Sequence, residues 1–411
     1  MNKKNTQCSL TDSELSELSI DEIARVGAQE LLRQALEAEF SIYMEKISGI
    51  KTQDGLQAIV RNGYHKARTV VTSAGSIAVS VPRSRNRIGT DDTFTSAIVP
   101  PYMRKSLKVS EAIPLLYLKG ISTGNMEEAL QGLLGDDASG LSASTVSRLK
   151  EEWKKEFEQW EKRSFKGKQY CYIYADGIYT TVRSSEKKLS ELVVIGVLES
   201  GVKELITVAS GYRESTDDWS EVLRSLKARG LESPDLAIGD GALGFWGAMR
   251  NVFPETEWQR CWVHKKRNVL NKMPKNIQKE ASRMMDDIYN AEKRADADKA
   301  FNAFIKRFEY TQYKAVDCLR KDKEELLAFY TFPKQHWKHI RTTNPIESTF
   351  ATVRLRTKST RGMGTEDTTH MMIFKLLQSA EKRWQRIWGY NLIPFVMKGE
   401  KFEDGEMLNA A

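Results

Sequence analysis

Leu236-Ala-Ile-Gly-Asp240-Gly241, and twenty residues on Gln259-Arg-Cys261-Trp-Val-His264, decide how this chain reads. The first is a short apolar run that ends in a carboxylate and a glycine, the pattern of a buried strand. An apolar run at helical spacing around Phe245 to Asn251 follows. A second strand, Trp258 to Val263, then carries Cys261, with His264 at its end. Strand, helix, strand with little between them predicts a parallel pair joined by a crossover.

Working outward, YCYIYADGIYTTV, ELVVIGVLES and ELITVASGY are three β-branched and aromatic runs separated by polar turns. They predict an antiparallel meander. Ser215-Thr-Asp-Asp218 then caps a helix whose Trp219, Val222, Leu223 and Leu226 share one face, ended by Gly230. Three strands, helix, strand, helix, strand is the order of a ribonuclease-H-like α/β domain. From His264 to about Phe332 strand character is lost and Lys, Glu, Ala and Met dominate. Asn344-Pro345 opens one more helix, with Asn344 as N-cap and Pro345 at N1. The fold class is therefore an α/β core interrupted by an all-α insertion.

Upstream, residues 10–60 read as helical, capped by Ser19 or Asp21, and 67–82 as a hairpin turning near Gly75. Arg83, Arg85 and Arg87 then alternate in an extended stretch that either lines a phosphate backbone or is a plain loop. Residues 104–163 read as helices compatible with a helix-turn-helix or a helical bundle. The resulting organisation is 1–66, a helical N-terminal region; 67–165, a hairpin plus helices for DNA binding; 166–269, the first part of the catalytic core; 270–333, the insertion; and 334–411, the last catalytic helix and tail.

The bulk numbers set limits. The 411 residues carry a net charge of +8, and 40% are hydrophobic; the mean hydropathy is −0.49 and the pI about 9.0. No apolar run is of membrane-spanning length and the N-terminal residues lack a signal-peptide core, so a cytoplasmic, nucleoid-associated protein is expected. Four scattered cysteines suit a reducing compartment. Residues 334–361 hold seven lysines and arginines against one acid, Glu347. A lone carboxylate in a basic field suits a site that handles phosphodiesters; a solvated basic helix is the plainer alternative.

Three carboxylates stand at the ends of these elements: Asp176, Asp240 and Glu347. Phosphodiester cleavage needs a strong nucleophile and a stabilised leaving oxygen, which carboxylate-bound divalent ions supply. Each has a structural rival. Asp176-Gly177 is a hairpin-turn signal; Asp240 suits a helix cap; Glu347 stands three residues after Asn344, as in a capping box. Cys261 and His264 are either half of a zinc site, with Cys318, His336 or His339 as partners, or residues that tune the carboxylates and touch phosphate. Lys265, Lys266, Arg267, Arg354 and Arg356 are further expected DNA contacts.

With these residues on the page, the chain resembles bacterial Mutator-type insertion-sequence transposases. The likeness runs through NGYHKARTV (62–70), VPRSR (81–85), YLKGISTGNMEEAL (117–130), YADGIYTTVR (174–183), IGDGALGFWGAM (238–249), QRCWVHKKRNVL (259–270) and TTNPIESTFATVRLRTKSTRG (342–362). It implies Asp176, Asp240 and Glu347 as catalytic, metal-binding residues, and Cys261 and His264 as a signature beside the second aspartate. Mg²⁺, with Mn²⁺ as a substitute, is the implied cofactor. The implied partners are the inverted-repeat ends of a mobile element, target DNA and a second copy of the chain. The implied reaction is nicking followed by strand transfer from a 3′-OH. A catalytically silent DNA-binding derivative and a stand-alone nuclease are the rival functions.

Overall fold

A computed structural model describes residues 18–89, 93–122, 124–134, 143–182, 188–211, 215–241, 243–359 and 365–408. The chain divides into two compact units, Met1–Leu149 and Lys150–Ala411.

The first unit starts with α1 (Ile20–Ile47). Ser19 caps it: its Oγ accepts from Glu22 N–H at 3.3 Å, and the Glu22 carboxylate accepts from Ser19 N–H at 2.8 Å. This reciprocal pair satisfies two donors left over at a helix start. The helix ends at Ile47, short of the predicted 60. Strand β1 (Ile59–Tyr64) follows, then the hairpin β2 (Arg68–Thr72) and β3 (Gly75–Val79), then β4 (Pro82–Asn86). The hairpin turns next to Gly75 as predicted, at φ +101°. Strand β4 returns to pair with β1, so a boundary at residue 66 would cut through one sheet. Leu36 of α1 packs with Val70, Ile77, Val79 and Val99 to form the core of this unit. Helices α2 (Leu107–Lys119) and α3 (Met126–Leu134) follow in this unit, and α4 (Ala143–Glu161) runs across the division into the second. The turn at 135–142, on which the helix-turn-helix reading rests, lies outside the described residues.

The second unit holds a five-stranded sheet made of β5 (Tyr170–Thr181), β6 (Lys188–Leu198), β7 (Lys203–Gly211), β8 (Leu236–Gly239) and β9 (Glu257–Arg260), in the order β7-β6-β5-β8-β9. The first three form the predicted antiparallel meander, and β8 and β9 join it in parallel. Helix α5 (Thr216–Ala228), capped by Ser215, lies between β7 and β8; α6 (Leu243–Val252) lies between β8 and β9. One face of the sheet presents Ile173, Ala175, Leu192, Val194 and Ala237 to Trp219, Leu223, Phe245 and Met249 of these helices. Burying that continuous apolar layer is the main driving force for this half.

After β9 the chain is helical: α7 (Trp262–Leu270), α8 (Lys275–Asn290), α9 (Arg294–Phe308), α10 (Tyr313–Arg320), α11 (Lys323–Leu327) and α12 (Trp337–Ile340). Helix α13 (Asn344–Ser359) then packs on β5, and α14 (Glu366–Glu381) on β7 and α13. Ile346, Phe350 and Val353, at helical spacing, are the buried stripe of α13. The short α15 (Ile393–Met397) and the hairpin β10 (Phe402–Glu403) and β11 (Glu406–Met407) end the described chain. Among the described residues no helix is long and apolar enough to cross a membrane.

Candidate active site

Strand register brings the two aspartates together. In the parallel pairing of β5 with β8, Ala175 stands opposite Gly239. One residue further on, Asp176 and Asp240 leave neighbouring strands at the same level. Side chains alternate along a strand, so Asp176 shares the face of Tyr172 and Tyr174. That is the face opposite α5 and α6. On it the Tyr172 hydroxyl meets His336 Nδ1 at 2.7 Å, and the Tyr174 hydroxyl donates to the His339 carbonyl at 3.2 Å. The same layer carries α13, and Glu347 sits in its first turn.

The hairpin reading of Asp176-Gly177 is overturned, because β5 runs straight through it, with Asp176 paired to Val193 and Gly177 to Leu192. The capping-box reading of Glu347 changes as well. Helix α13 begins at Asn344, so Thr343 occupies the cap position, and its carbonyl accepts from Glu347 N–H at 3.0 Å.

Cys261 is not in the strand. It caps α7, with its N–H bonded to the Gly239 carbonyl at 2.8 Å, and His264 lies in the first turn of that helix. His264 Nε2 is 3.4 Å from Glu347 Oε1. The fully buried Thr343 links the group. Its Oγ1 lies 3.3 Å from Cys261 Sγ, 3.4 Å from His264 Nδ1 and 3.4 Å from Glu347 Oε1. Its backbone N–H also donates to Cys261 Sγ at 3.3 Å. A hydroxyl has one proton to give and two lone pairs to offer. A doubly protonated His264 supplies Nδ1–H to that oxygen, which leaves the hydroxyl proton for the thiol sulfur or the carboxylate.

Electrostatics favour that state. The hydrogen bond to Cys261, together with the charges of Cys261, Asp176 and Asp240, pushes the His264 imidazole up to about 9, against the desolvation that opposes it. Burial works to raise the Cys261 thiol, but hydrogen bonds from His264 and Thr343 more than offset it and hold the thiol below its ordinary value. The charges of Asp176 and Asp240 thus act on the same imidazole that lies 3.4 Å from Glu347.

Among the described residues, the donor group compact enough to share one ion is Cys261, His264 and Glu347, whose ligand atoms lie within 4.8 Å of one another. His336 and His339 do not join Cys261. His336 accepts from Tyr172 at Nδ1 and donates from Nε2 to the Gly389 carbonyl at 2.8 Å, so both nitrogens are occupied. His339 Nε2 accepts from Trp388 N–H at 2.9 Å.

The expected DNA contacts divide. Arg83, Arg85 and Arg87 are all exposed on one side of β4 and its end, with Ser84 turned inward. Arg267 and Arg354 are exposed as well. Lys266 is half-buried and 2.6 Å from Asp286. Lys265 and Arg356 are corrected: they are 2% and 5% exposed, and the Lys265 ammonium is held 2.5 Å from Asp322. A phosphate contact needs a reachable cation, and Lys265 instead ties α7 to the start of α11. Sequence reasoning missed Thr343, Arg260 and Asp322. The Thr-Thr pair before Asn344-Pro345 was the available signal for Thr343, as a cap residue; nothing local marks the other two.

Comparison with known proteins places the chain in a family. The Transposase, Mutator family profile matches residues 1–387. The chain is 46% identical over 300 residues to the transposase for insertion sequence element IS6120 of Mycolicibacterium smegmatis, which covers 73% of this chain and 93% of that one. It is 47% identical over 281 residues to the transposase for insertion sequence element IST2 of Acidithiobacillus ferrooxidans, covering 68% and 95%. The transposase for IS256 in transposon Tn4001 of Staphylococcus aureus is 26% identical over 367 residues, covering 89% and 91%. The chain belongs to the Mutator family of transposases.

Proposed function

We propose that this transposase cuts and joins DNA with Asp176, Asp240 and Glu347 as a metal-binding triad on a ribonuclease-H-like core. The register that sets Asp176 beside Asp240, on the sheet face covered by the helix of Glu347, carries the proposal. All three side chains offer hard oxygen donors, the set that Mg²⁺ or Mn²⁺ takes. Behind the hydrogen bond with Cys261, the charges of Asp176 and Asp240 add to the rise of the His264 pKa, and a dication would balance the same two charges. Such an ion supplies Lewis-acid stabilisation of the leaving oxygen and a water activated for attack.

The remaining groups orient that chemistry. His264 holds one oxygen of Glu347, and Thr343 and Cys261 hold His264. In the first step a water oxygen bonds to phosphorus and the bond to the 3′ oxygen breaks, freeing a 3′-OH. In the second step that 3′-OH attacks a phosphodiester of another strand, whose own 3′ oxygen leaves. Neither step requires a covalent protein intermediate. The substrates are the inverted-repeat ends of the element and a target duplex, and two ends held together call for two copies of the chain. The exposed Arg83, Arg85, Arg87, Arg267 and Arg354 are the proposed backbone contacts.

The test compares wild type with Asp240→Asn on labelled DNA carrying the element ends, with Mg²⁺ and with EDTA, alongside a binding assay. Cutting by wild type alone, only with metal, and with binding retained in the variant is the expected result. Equal cutting by Asp240→Asn would reduce Asp240 to a structural residue and overturn the triad.

A further inference from the structure

A groove of the second unit, about 900 Å³, opens beside Gly241, one residue beyond Asp240. Its sheet-side wall comes from α6 and β9. Its other wall comes from α7, α10 and the residues leading into α11. Trp246 and Trp258 form the floor, stacked 5.5 Å apart at an interplanar angle of 28°, and the Arg250 guanidinium lies 4.9 Å above Trp258. Tyr313 stands on the rim and is 66% exposed.

The lining carries seven basic and four acidic side chains. Two of the acids are already engaged: Asp322 lies 3.4 Å from Arg260 and 2.5 Å from Lys265, and Glu309 lies 2.8 Å from Arg320. Among the described residues no carboxylate lies within 4 Å of the side-chain nitrogens of Arg250, Lys272, Lys314 or Lys321, all of which are exposed. Two acids, Asp317 and Glu325, remain to face them. The groove is therefore cationic where solvent reaches it and aromatic at its floor and rim.

Cations along a trough with aromatic rings between them are the chemistry that holds an unpaired nucleic-acid strand. The cations track phosphates, and the rings stack bases of any sequence. An unpaired strand offers its bases to such rings, whereas a duplex presents only its outer phosphates. We infer that the groove binds an unpaired stretch of the DNA strand next to the scissile phosphate, with one base stacked on Tyr313. The inference rests on the proposed cutting of DNA at Asp240. It adds to that reading that the strand is opened where it leaves the carboxylates.

The test uses the full chain and a single-stranded oligodeoxynucleotide carrying 5-iododeoxyuridine, which cross-links to aromatic rings it stacks on. After irradiation, the cross-linked peptide is mapped by mass spectrometry. A cross-link at Tyr313 or Trp258 is expected. In parallel, affinity for the same oligonucleotide is measured against salt for wild type and for Lys272→Ala/Lys314→Ala/Lys321→Ala. Each phosphate contact on a single strand contributes about 0.7 to the slope of log affinity on log salt, so the triple variant should lose about 2 from it. All three lysines are exposed, so folding is preserved, and a thermal melt checks this.

Cross-links only outside the groove, or an unchanged slope, would overturn the inference while leaving duplex nicking intact. A triple variant that alters the mass of the free protein by light scattering, with its DNA slope unchanged, would reassign the groove to a contact between copies. A wild type that neither binds nor cuts DNA would take the proposed function down as well.

Discussion

Replacing Gly241 with alanine tests the joint between the candidate active site and the groove beside it. Gly241 has φ +81°. A Cβ there would fall 0.6 Å from Arg260 Nη1 and 1.8 Å from its Cζ, so the end of the guanidinium fills the space where a side chain would start. Two costs follow. The left-handed backbone costs a residue with a Cβ roughly 1–2 kcal/mol. The guanidinium must also leave its place against Asp322, where Nε is 3.4 Å from Oδ2 and the residue is 7% exposed. That contact is an ion pair and not a hydrogen bond, since Arg260 Nε has no hydrogen-bond partner among the described residues, and disturbing it adds to the backbone cost. Gly241→Ala is therefore expected to cost more than the roughly 1–2 kcal/mol of the backbone alone.

Gly167 separates the two terms. It lies in the same unit at φ +79°, but nothing stands within 4 Å of its would-be Cβ. Gly167→Ala should therefore cost only the backbone term. Urea unfolding of the two variants measures the difference directly. A double-mutant cycle isolates it again, because in an Arg260→Ala background Gly241→Ala should cost no more than Gly167→Ala does. Equal losses for Gly241→Ala and Gly167→Ala in the parent chain would refute the claim that Arg260 rests on Gly241.

Three further outcomes are expected. His264→Ala should slow metal-dependent nicking about 10- to 100-fold, the usual effect of removing a group that orients a ligand, with end binding unchanged; a variant that nicks at the wild-type rate would show that His264 does not position Glu347. Phe350→Ala, in the buried stripe of α13, should cost about 3–5 kcal/mol in urea unfolding, and a loss under 1 kcal/mol would mean that the helix of Glu347 is not anchored there. His370 Nδ1 lies 2.6 Å from the fully buried Glu191 carboxylate; burial opposes its charge, but that carboxylate outweighs burial and raises the pKa above the ordinary 6.5. The folded state then holds the proton more tightly than the unfolded one, so the stabilisation is complete below about pH 6.5 and fades as pH rises through the folded pKa. Urea midpoints of wild type and His370→Gln should converge with rising pH over that range, and a constant gap would contradict the pair.

The elements that could be read locally came out of the sequence well. The meander, the capped helix after it, and the helix of Glu347 rest on β-branched runs between polar turns, on Ser215 and on Asn344-Pro345, and each is present. Two errors share a cause. Asp-Gly signals a turn only if the backbone takes positive φ there, and pairing with β6, where Gly177 stands opposite Leu192, holds Gly177 extended. Likewise β1 shows no apolar alternation, since Asn62, Gly63 and Tyr64 are polar or small, and it becomes a strand because β4 pairs with it from twenty residues away. Partnerships over such distances leave no local pattern. The same holds for Lys265 and Arg356, which look like phosphate contacts by composition and are buried by tertiary packing.

A long helical excursion separates the proposed catalytic residues Asp240 and Glu347 in the chain. The chain leaves the sheet at Cys261 and returns at Thr343. At that base Trp262 N–H donates to the Arg341 carbonyl at 3.0 Å, and Thr343 N–H donates to Cys261 Sγ at 3.3 Å. The excursion is thus pinned where it begins and ends. One of the pinning residues, Thr343, also reaches His264 and Glu347. Closing a longer loop costs little more than closing a short one, since the penalty grows only with the logarithm of length. The helices between can therefore carry a groove of their own beside Gly241, while the position of Glu347 relative to Asp240 depends on a few hydrogen bonds at the neck. Thr343→Ala would remove the side-chain half of that neck, so it should impair cutting more than it impairs folding.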